Sequence, residues 1–347
     1  MRPPARGVCE SDRAVSLREA SWRIAQHELA APAVLAPMAG VTDRPFRVLC
    51  RRLGAALTPA EMLSADQRLW SSLKSQRRMD HAGEPEPRVV QLVGSEPQEL
   101  AAAARVNVDL GAQIIDLNMG CPAKKVCNRD AGSALLADET LIGRILEAVV
   151  RAVPVPVTLK IRTGIDPNRR NAARVAAIAQ QCGIAALTIH GRTRMDHFRG
   201  SAEYDSIRAA RAAFARALVA NGDITTPTQA RKILDFTGAQ GVMIGRAAQG
   251  APWIFRDVNA YLRDGHPPPP LLRRLQTEII LHHLESLYEF YGEYTGIRMA
   301  RKHLGWYCRQ HVDGDSLRRT LMAAEDSASQ FAAAQRGFAQ WTELEAA

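Results

Sequence analysis

No apolar run in the chain is long enough to span a bilayer, so no membrane partner is expected. The first residues, Met1 to Gln26, are rich in arginine but carry Glu10, Asp12 and Glu19 and contain no hydrophobic stretch. They do not read as a secretory signal, and residues 1–21 are expected to be a loosely ordered extension. The six cysteines, Cys9, Cys50, Cys121, Cys127, Cys182 and Cys308, include no C-x-x-C pair. That spacing argues against zinc ribbons and a disulfide framework, and for a reducing cytoplasm. His282 and His283 are adjacent rather than four apart, so a helical metal site is not expected there, nor any metal elsewhere. No G-x-G-x-x-G opens a βαβ unit, which excludes a visible Rossmann domain. Internal repeats are missing, and the only low-complexity stretch is Pro267 to Pro270.

What is present is a chain of 347 residues with a formal charge of +9, long enough for a large barrel with an appendage. The excess of Lys and Arg points toward a polyanionic partner. Short β-rich runs recur at Ala33–Gly40, Ala56–Glu61, Arg88–Gly94, Gln113–Gly120, Pro156–Gly164, Ala186–Thr193, Ala217–Ile224 and Gly241–Ala247. Each gap holds room for one helix, such as Arg44–Leu53 behind the caps Thr42 and Asp43, and Pro97–Leu110. Eight strand-helix units predict an α/β fold of the (β/α)8 TIM-barrel type over residues 22–262. A doubly wound sheet would have fewer strands and no reason to place polar residues at nearly every strand end. Residues 263–270 read as a stiff proline-rich linker. Beyond it, Ile280, Leu284, Leu287, Tyr288 and Tyr291 share one helical face. A second helix, Ile297–His311, separates Ile297, Ala300, Leu304, Tyr307 and Cys308 from Arg298, Arg301, Lys302 and Arg309. Residues 271–347 are therefore expected to form a small helical bundle.

Polar residues collect at the C-terminal ends of the strands, the active-site face of a barrel. They are Pro37-Met38-Ala39-Gly40, Gln91, Cys121, Lys160 with Arg162, His190-Gly191-Arg192, Asn221-Gly222-Asp223 and Gly245-Arg246. The last two groups suit a phosphate cradle, with glycines for close backbone approach and an arginine for charge. Lys160 across the mouth suits the electron-rich edge of a flavin, so a phosphorylated cofactor such as FMN is expected. Cys121, between Gly120 and Pro122 at the end of an apolar run, is the candidate proton donor or nucleophile. His190 is open to three readings: a general acid, a phosphate contact or a hydrogen-bonded barrel residue. His197, beside Arg194 and Arg199, reads as a surface or RNA contact.

Taken together, APMAGVTDRPFR, NMGCPAKKV, LKIRTG, IHGRTR, ANGDI and MIGRAAQG resemble the tRNA-dihydrouridine synthases, and most of all the bacterial B-type enzymes. The resemblance runs from about Trp22 into the C-terminal helices. It implies an FMN-dependent reductase that saturates the C5=C6 bond of particular uridines in tRNA, with NADPH as hydride source. On that resemblance Pro37, Met38 and Ala39 line the flavin, Gln91 and Lys160 bond its ring, and His190 lies near flavin and base. Asn221, Gly222, Asp223, Gly245 and Arg246 hold its phosphate end, Cys121 protonates C5, and Asn118 orients the uracil. Folded RNA must release the target base, and Arg162, Arg192, Arg194, Arg298, Arg301 and Lys302 are the expected RNA contacts. The enzyme is expected to act as a monomer. The rivals are a flavoenzyme of the dihydroorotate dehydrogenase type acting on free pyrimidines, and an RNA-binding protein without activity.

Overall fold

The computed structural model describes residues 21–310 and 314–346, with side chains as far as residue 340. The expected N-terminal extension and His311 lie outside the described residues, apart from Ser21. The described chain opens on a hairpin, β1 (Trp22–Ile24) antiparallel to β2 (His27–Leu29). Eight parallel strands follow: β3 (Ala33–Leu35), β4 (Leu63–Ser64), β5 (Val89–Val93), β6 (Ile114–Met119), β7 (Val157–Arg162), β8 (Ala186–His190), β9 (Ala217–Asn221) and β10 (Gly241–Ile244). They are ordered β3-β10-β9-β8-β7-β6-β5-β4, which leaves β3 and β4 at the ends of the ladder.

The run expected as the second strand, Ala56–Glu61, bridges those ends without being a regular strand. Leu35 N–H donates to Leu57 and Ala56 N–H to Ala33, at 2.9 and 2.8 Å, while Ala60 N–H donates to Val89 at 3.0 Å. Pro59 has no N–H and interrupts the ladder. The regular pairing with β5 resumes only at Leu63–Ser64, beyond the expected boundary. The eight-stranded architecture itself is the barrel that the sequence predicts.

Helices fill the crossovers: α1 (Arg44–Arg52), α2 (Leu73–Met79), α3 (Pro97–Asp109), α4 (Lys124–Cys127), α5 (Glu139–Ala152), α6 (Ala172–Gln181), α7 (Asp205–Ala213), α8 (Pro227–Thr237) and α9 (Ile254–Asp264). Asp43 caps α1 by accepting the Phe46 N–H at 3.1 Å, and Thr226 caps α8 at Gln229, satisfying N–H groups that a first turn leaves unpaired. Side chains alternate along the strands as the pleat requires. In β10, Val242 and Ile244 join the outer core against the helices, and Met243 joins an inner cluster. That inner cluster includes Val89, Ile114, Ala186 and Ala217 at the strands' N-terminal ends, together with Trp22, Ile24 and Leu29 of the hairpin. The bottom of the barrel is thus plugged with apolar side chains, and the opposite end is left for polar ones.

After α9 come α10 (Arg273–Tyr291), α11 (Glu293–Tyr307), a 3-10 turn at Cys308–Gln310, α12 (Gly314–Ala323) and α13 (Ser327–Ala346). Ile280, Leu284, Leu287, Ala300, Leu304, Tyr307, Leu321 and Phe338 form their shared core. Phe46 of α1 lies 5.5 and 5.2 Å from the rings of His283 and His303, which joins these helices to the barrel.

Candidate active site

A cavity of about 560 Å3 opens at the C-terminal ends of the strands, within the size range of cofactor and substrate sites. All the expected cofactor residues line it: Pro37, Met38, Ala39, Gln91, Lys160, His190, Asn221, Gly222, Asp223, Gly245 and Arg246, together with Asn118, Cys121 and Arg162.

Cys121 leaves β6 through a turn clamped on both sides. The Asn118 side-chain oxygen accepts the N–H groups of Gly120 and Cys121 at 3.1 and 2.9 Å. The Cys121 carbonyl accepts the Ser133 N–H and hydroxyl at 3.0 and 2.9 Å. Those bonds fix the Asn118 amide, whose NH2 donates to Gln91 Oε1 at 2.8 Å, while Gln91 donates to Asp116 at 2.7 Å. Asn118 thus holds the Cys121 turn, and with it the thiol, while its side chain also lines the cavity. Burial pushes the thiol above its usual value, against the opposing pull of the Ala123 N–H, Arg162 and Lys160. A protonated thiol beside groups that welcome a thiolate is the setting a proton donor needs.

Lys160 donates to Asn221 Oδ1 at 3.0 Å, and the Asn221 NH2 is fixed by the Met243 carbonyl at 2.7 Å. Burial first, then Arg162, lower the pKa of Lys160 to about 8, opposed by Asp116. His190 is driven down to about 2 by burial and by Lys160, Arg162, Arg192 and Arg246, so it is a neutral imidazole at neutral pH. Gly222 has φ +128, and an added Cβ would stand 2.7 Å from the Ala202 Cβ, which explains why the turn after β9 carries glycine. Asp223 accepts from Arg192 at 2.9 and 2.7 Å and from Arg246 at 3.0 Å. Its carboxylate thus serves the site by aligning two guanidinium groups.

A family model, dihydrouridine synthase (Dus), matches residues 34–342. The chain belongs to the dihydrouridine synthase family. It is 56% identical over 310 residues to the tRNA-dihydrouridine synthase B of Xanthomonas axonopodis pv. citri (strain 306), covering 89% of this chain and 93% of that one. To the protein of the same name from Pseudomonas putida (strain KT2440) it is 54% identical over 319 residues, 92% of this chain and 94% of the relative. Among solved structures, histamine dehydrogenase from Rhizobium sp. 4-9 shares the fold, with a TM-score of 0.55 at 12% identity, over 76% of this chain and half of that one.

As a dihydrouridine synthase the chain is an enzyme, and its expected RNA contacts fall into two groups. Arg162 and Arg192 are each 2% exposed. Arg162 donates to the carbonyls of Gly120, Thr193 and His197, and Arg192 to those of Arg199 and Gly200 as well as to Asp223. They brace the loop after β8 from within instead of presenting a surface to RNA. Arg301 donates to the Ala324 carbonyl at 3.0 Å, and Lys302 to that of Gly40. Arg298 is exposed and stacks on Tyr294, 3.5 Å from the ring centroid, with Tyr294 itself 72% exposed. Arg194 is half-buried.

Among the cavity residues that the sequence reading did not single out are Met62, Gln249 and Phe198. Phe198 is 58% exposed yet sits 5.3 and 5.6 Å from the guanidinium groups of Arg162 and Arg246. An aromatic between Arg194 and Arg199, in the loop from β8 to α7, was the available signal. Among the described residues no cluster of three or more His, Cys, Asp or Glu side chains converges on a metal, and no helix is long and apolar enough to cross a membrane.

Proposed function

We propose that the chain reduces the C5=C6 bond of specific uridines in tRNA to 5,6-dihydrouridine, with FMN in the cavity and NADPH as reductant, in a reducing cytoplasm. The observation that carries this reading is the Cys121 thiol, protonated by burial and facing the same cavity as Lys160. The relatives' name, tRNA-dihydrouridine synthase B, supplies the substrate.

The cavity's donor set fits FMN. The Lys160 ammonium has three N–H donors and one hydrogen bond, to Asn221, so it invites an electron-rich partner. Gln91 and Lys160 would lie toward the flavin ring, with Pro37, Met38, Ala39 and His190 as its walls. The backbone at Asn221, Gly222 and Gly245 and the Arg246 guanidinium would take the phosphate, Asp223 aligning Arg246. FMN, when bound and reduced, would supply the hydride chemistry of the site. Cys121 would deliver its proton to C5 of the uracil, where charge builds as C6 is reduced. Asn118 keeps Cys121 at that position, and the thiolate it leaves is stabilised by the Ala123 N–H, Arg162 and Lys160.

The barrel would then carry the chemistry as far as α9, which runs to Asp264 and so past the expected boundary at 262; residues 265–270 would be the connection, and the helices of 271–347 would carry the tRNA. Phe198 and the Arg298–Tyr294 pair join the candidate RNA contacts, since unstacked bases are held on aromatic and guanidinium faces. Arg194 keeps its place among them; Arg162, Arg192, Arg301 and Lys302 would act from behind.

The test is mass spectrometry of nucleosides from unmodified tRNA incubated with the purified protein, FMN and NADPH. A gain of two hydrogens on uridine supports the reading. Bound, NADPH-reducible flavin without that gain would favour a flavoenzyme acting on free pyrimidines.

A further inference from the structure

Helix α11 reaches two walls of the cavity at once. Lys302 donates its ammonium to the carbonyl of Gly40, in the loop whose inner side, Pro37, Met38 and Ala39, lines the cavity. Gly40 gives its own N–H to Glu61 at 2.7 Å, and Glu61 is gripped by Arg78 at 2.9 Å. Nearby, Tyr291 of α10 donates to Asp43 at 3.0 Å. Burial lowers the pKa of Lys302, while Asp43 and Glu61 oppose that shift. The lysine is thus half-buried between carboxylates and a backbone carbonyl.

Four residues further along the same helical face stands Trp306. It approaches Gly250 so closely that an added Cβ there would stand 2.5 Å from the Trp306 carbonyl oxygen. Gln310, in the turn after α11, donates to the Gly250 carbonyl at 2.9 Å. Gly250 follows Gln249, which lines the cavity and reaches the Met38 sulfur at 3.7 Å. Since β3 and β10 are neighbours in the sheet, the loops that follow them meet at one seam of the cavity wall, and α11 holds both sides of it.

We propose that α11 is a clamp on this seam, with Lys302 the positioning residue for the Pro37–Ala39 wall and Gln310 that for the Gln249 wall. The C-terminal helices thereby set the cavity's affinity for FMN, in addition to any hold on tRNA. The proposal rests on reading the cavity as the FMN site.

The test uses the full chain, stripped of flavin, as wild type, Lys302→Met, Lys302→Arg and Gln310→Ala. FMN is titrated by its fluorescence and visible absorption, and tRNA binding is measured on FMN-saturated protein at several salt concentrations. Lys302→Met should lose about tenfold in FMN affinity, the scale of one hydrogen bond to a charged group. It should also shift the bound-flavin absorption band, with Lys302→Arg restoring most of both and tRNA affinity unchanged. Gln310→Ala should lose a smaller factor in FMN affinity, with no more loss of Tm than one hydrogen bond accounts for. Wild-type FMN affinity and spectrum in Lys302→Met would overturn the clamp. So would a loss confined to tRNA affinity, with the salt slope reduced by about one, which would return Lys302 to the RNA contacts. If Lys302→Met does not fold, Gln310→Ala decides: wild-type FMN affinity there overturns the proposal. A wild-type chain that binds no FMN overturns the cofactor reading and the clamp together.

Discussion

Lys160 is held in the cavity wall at an energetic cost that a methionine of similar length would not incur. Its pKa falls from 10.5 to about 8, chiefly through burial, which at about 1.4 kcal/mol per tenfold in proton affinity is roughly 3 kcal/mol. The side chain keeps part of its contact with solvent, and discounting for screening leaves about 1–2 kcal/mol. The sign follows from proton binding. The folded chain releases the Lys160 proton near pH 8 and the unfolded chain near 10.5, so the unfolded state holds more protons in that window and stability rises with pH across it. Below pH 8 the whole cost is present.

Lys160→Met should therefore make the flavin-free protein gain most, relative to wild type, at pH 7. That advantage should shrink by about 1–2 kcal/mol as pH rises to 10.5. The lost bond to Asn221, worth about 1 kcal/mol, offsets the absolute gain but not its pH dependence. Urea unfolding of both flavin-stripped proteins at a series of pH values measures the difference directly. The same variant should bind FMN about ten- to a hundredfold more weakly, the loss of a charged hydrogen bond. A stability difference flat from pH 7 to 10.5, or FMN affinity equal to wild type, would refute the account of Lys160 as a cation desolvated for the cofactor.

Cys121→Ala should retain FMN binding and NADPH oxidation while dihydrouridine formation falls by about 10²–10⁴, the usual contribution of a positioned acid; normal turnover by nucleoside mass spectrometry would remove the thiol from the mechanism. Because burial raises that thiol above its usual range, the proton donor should stay loaded through neutral pH, and a single-turnover profile of the FMN-saturated enzyme that already falls with rising pH at neutrality would contradict it. Arg298→Glu should weaken tRNA binding and flatten its salt dependence, with an unchanged salt slope assigning the Arg298–Tyr294 pair to ordinary surface. Arg301→Gln should instead lower stability by about 1 kcal/mol, through its bond to Ala324, and leave tRNA affinity alone; urea unfolding and filter binding separate the two.

The barrel and the residues of the candidate cavity were legible because both rest on patterns of residue type. Apolar runs ending in polar residues mark strands and their active ends, and Asn221-Gly222-Asp223, Gly245-Arg246, Lys160 and Cys121 all fall at such ends and all line one cavity. The second strand was misplaced although Pro59, a residue ill suited to a ladder, stood inside the run: Ala56 to Ala60 reach β3 and β5 by separate hydrogen bonds, and regular pairing begins only at Leu63. The further part Asn118 plays in the Cys121 turn was not legible: an amide offers donors and an acceptor to anything nearby, and only the local turn shows that Gly120, Cys121 and Gln91 bond to it.

Cations were the least legible residues, and this bears on how the charge of +9 should be understood. A guanidinium has five donors and no acceptor, so it is as well suited to tying carbonyls inside a fold as to meeting phosphates outside it. Arg47 bonds Thr42 and Glu84 at 1% exposure, Arg162 and Arg192 brace the loop after β8, Arg78 holds Glu61, and Lys302 holds Gly40. None of these can change partners without loosening a loop at or near the cavity. Net charge counts them equally with Arg298, although only an exposed cation can release counterions from RNA at little structural cost. The positive charge of this chain therefore divides between two tasks: one set of cations, buried or half-buried, shapes the cavity and its loops from within, and the exposed cations are those left to meet a polyanion.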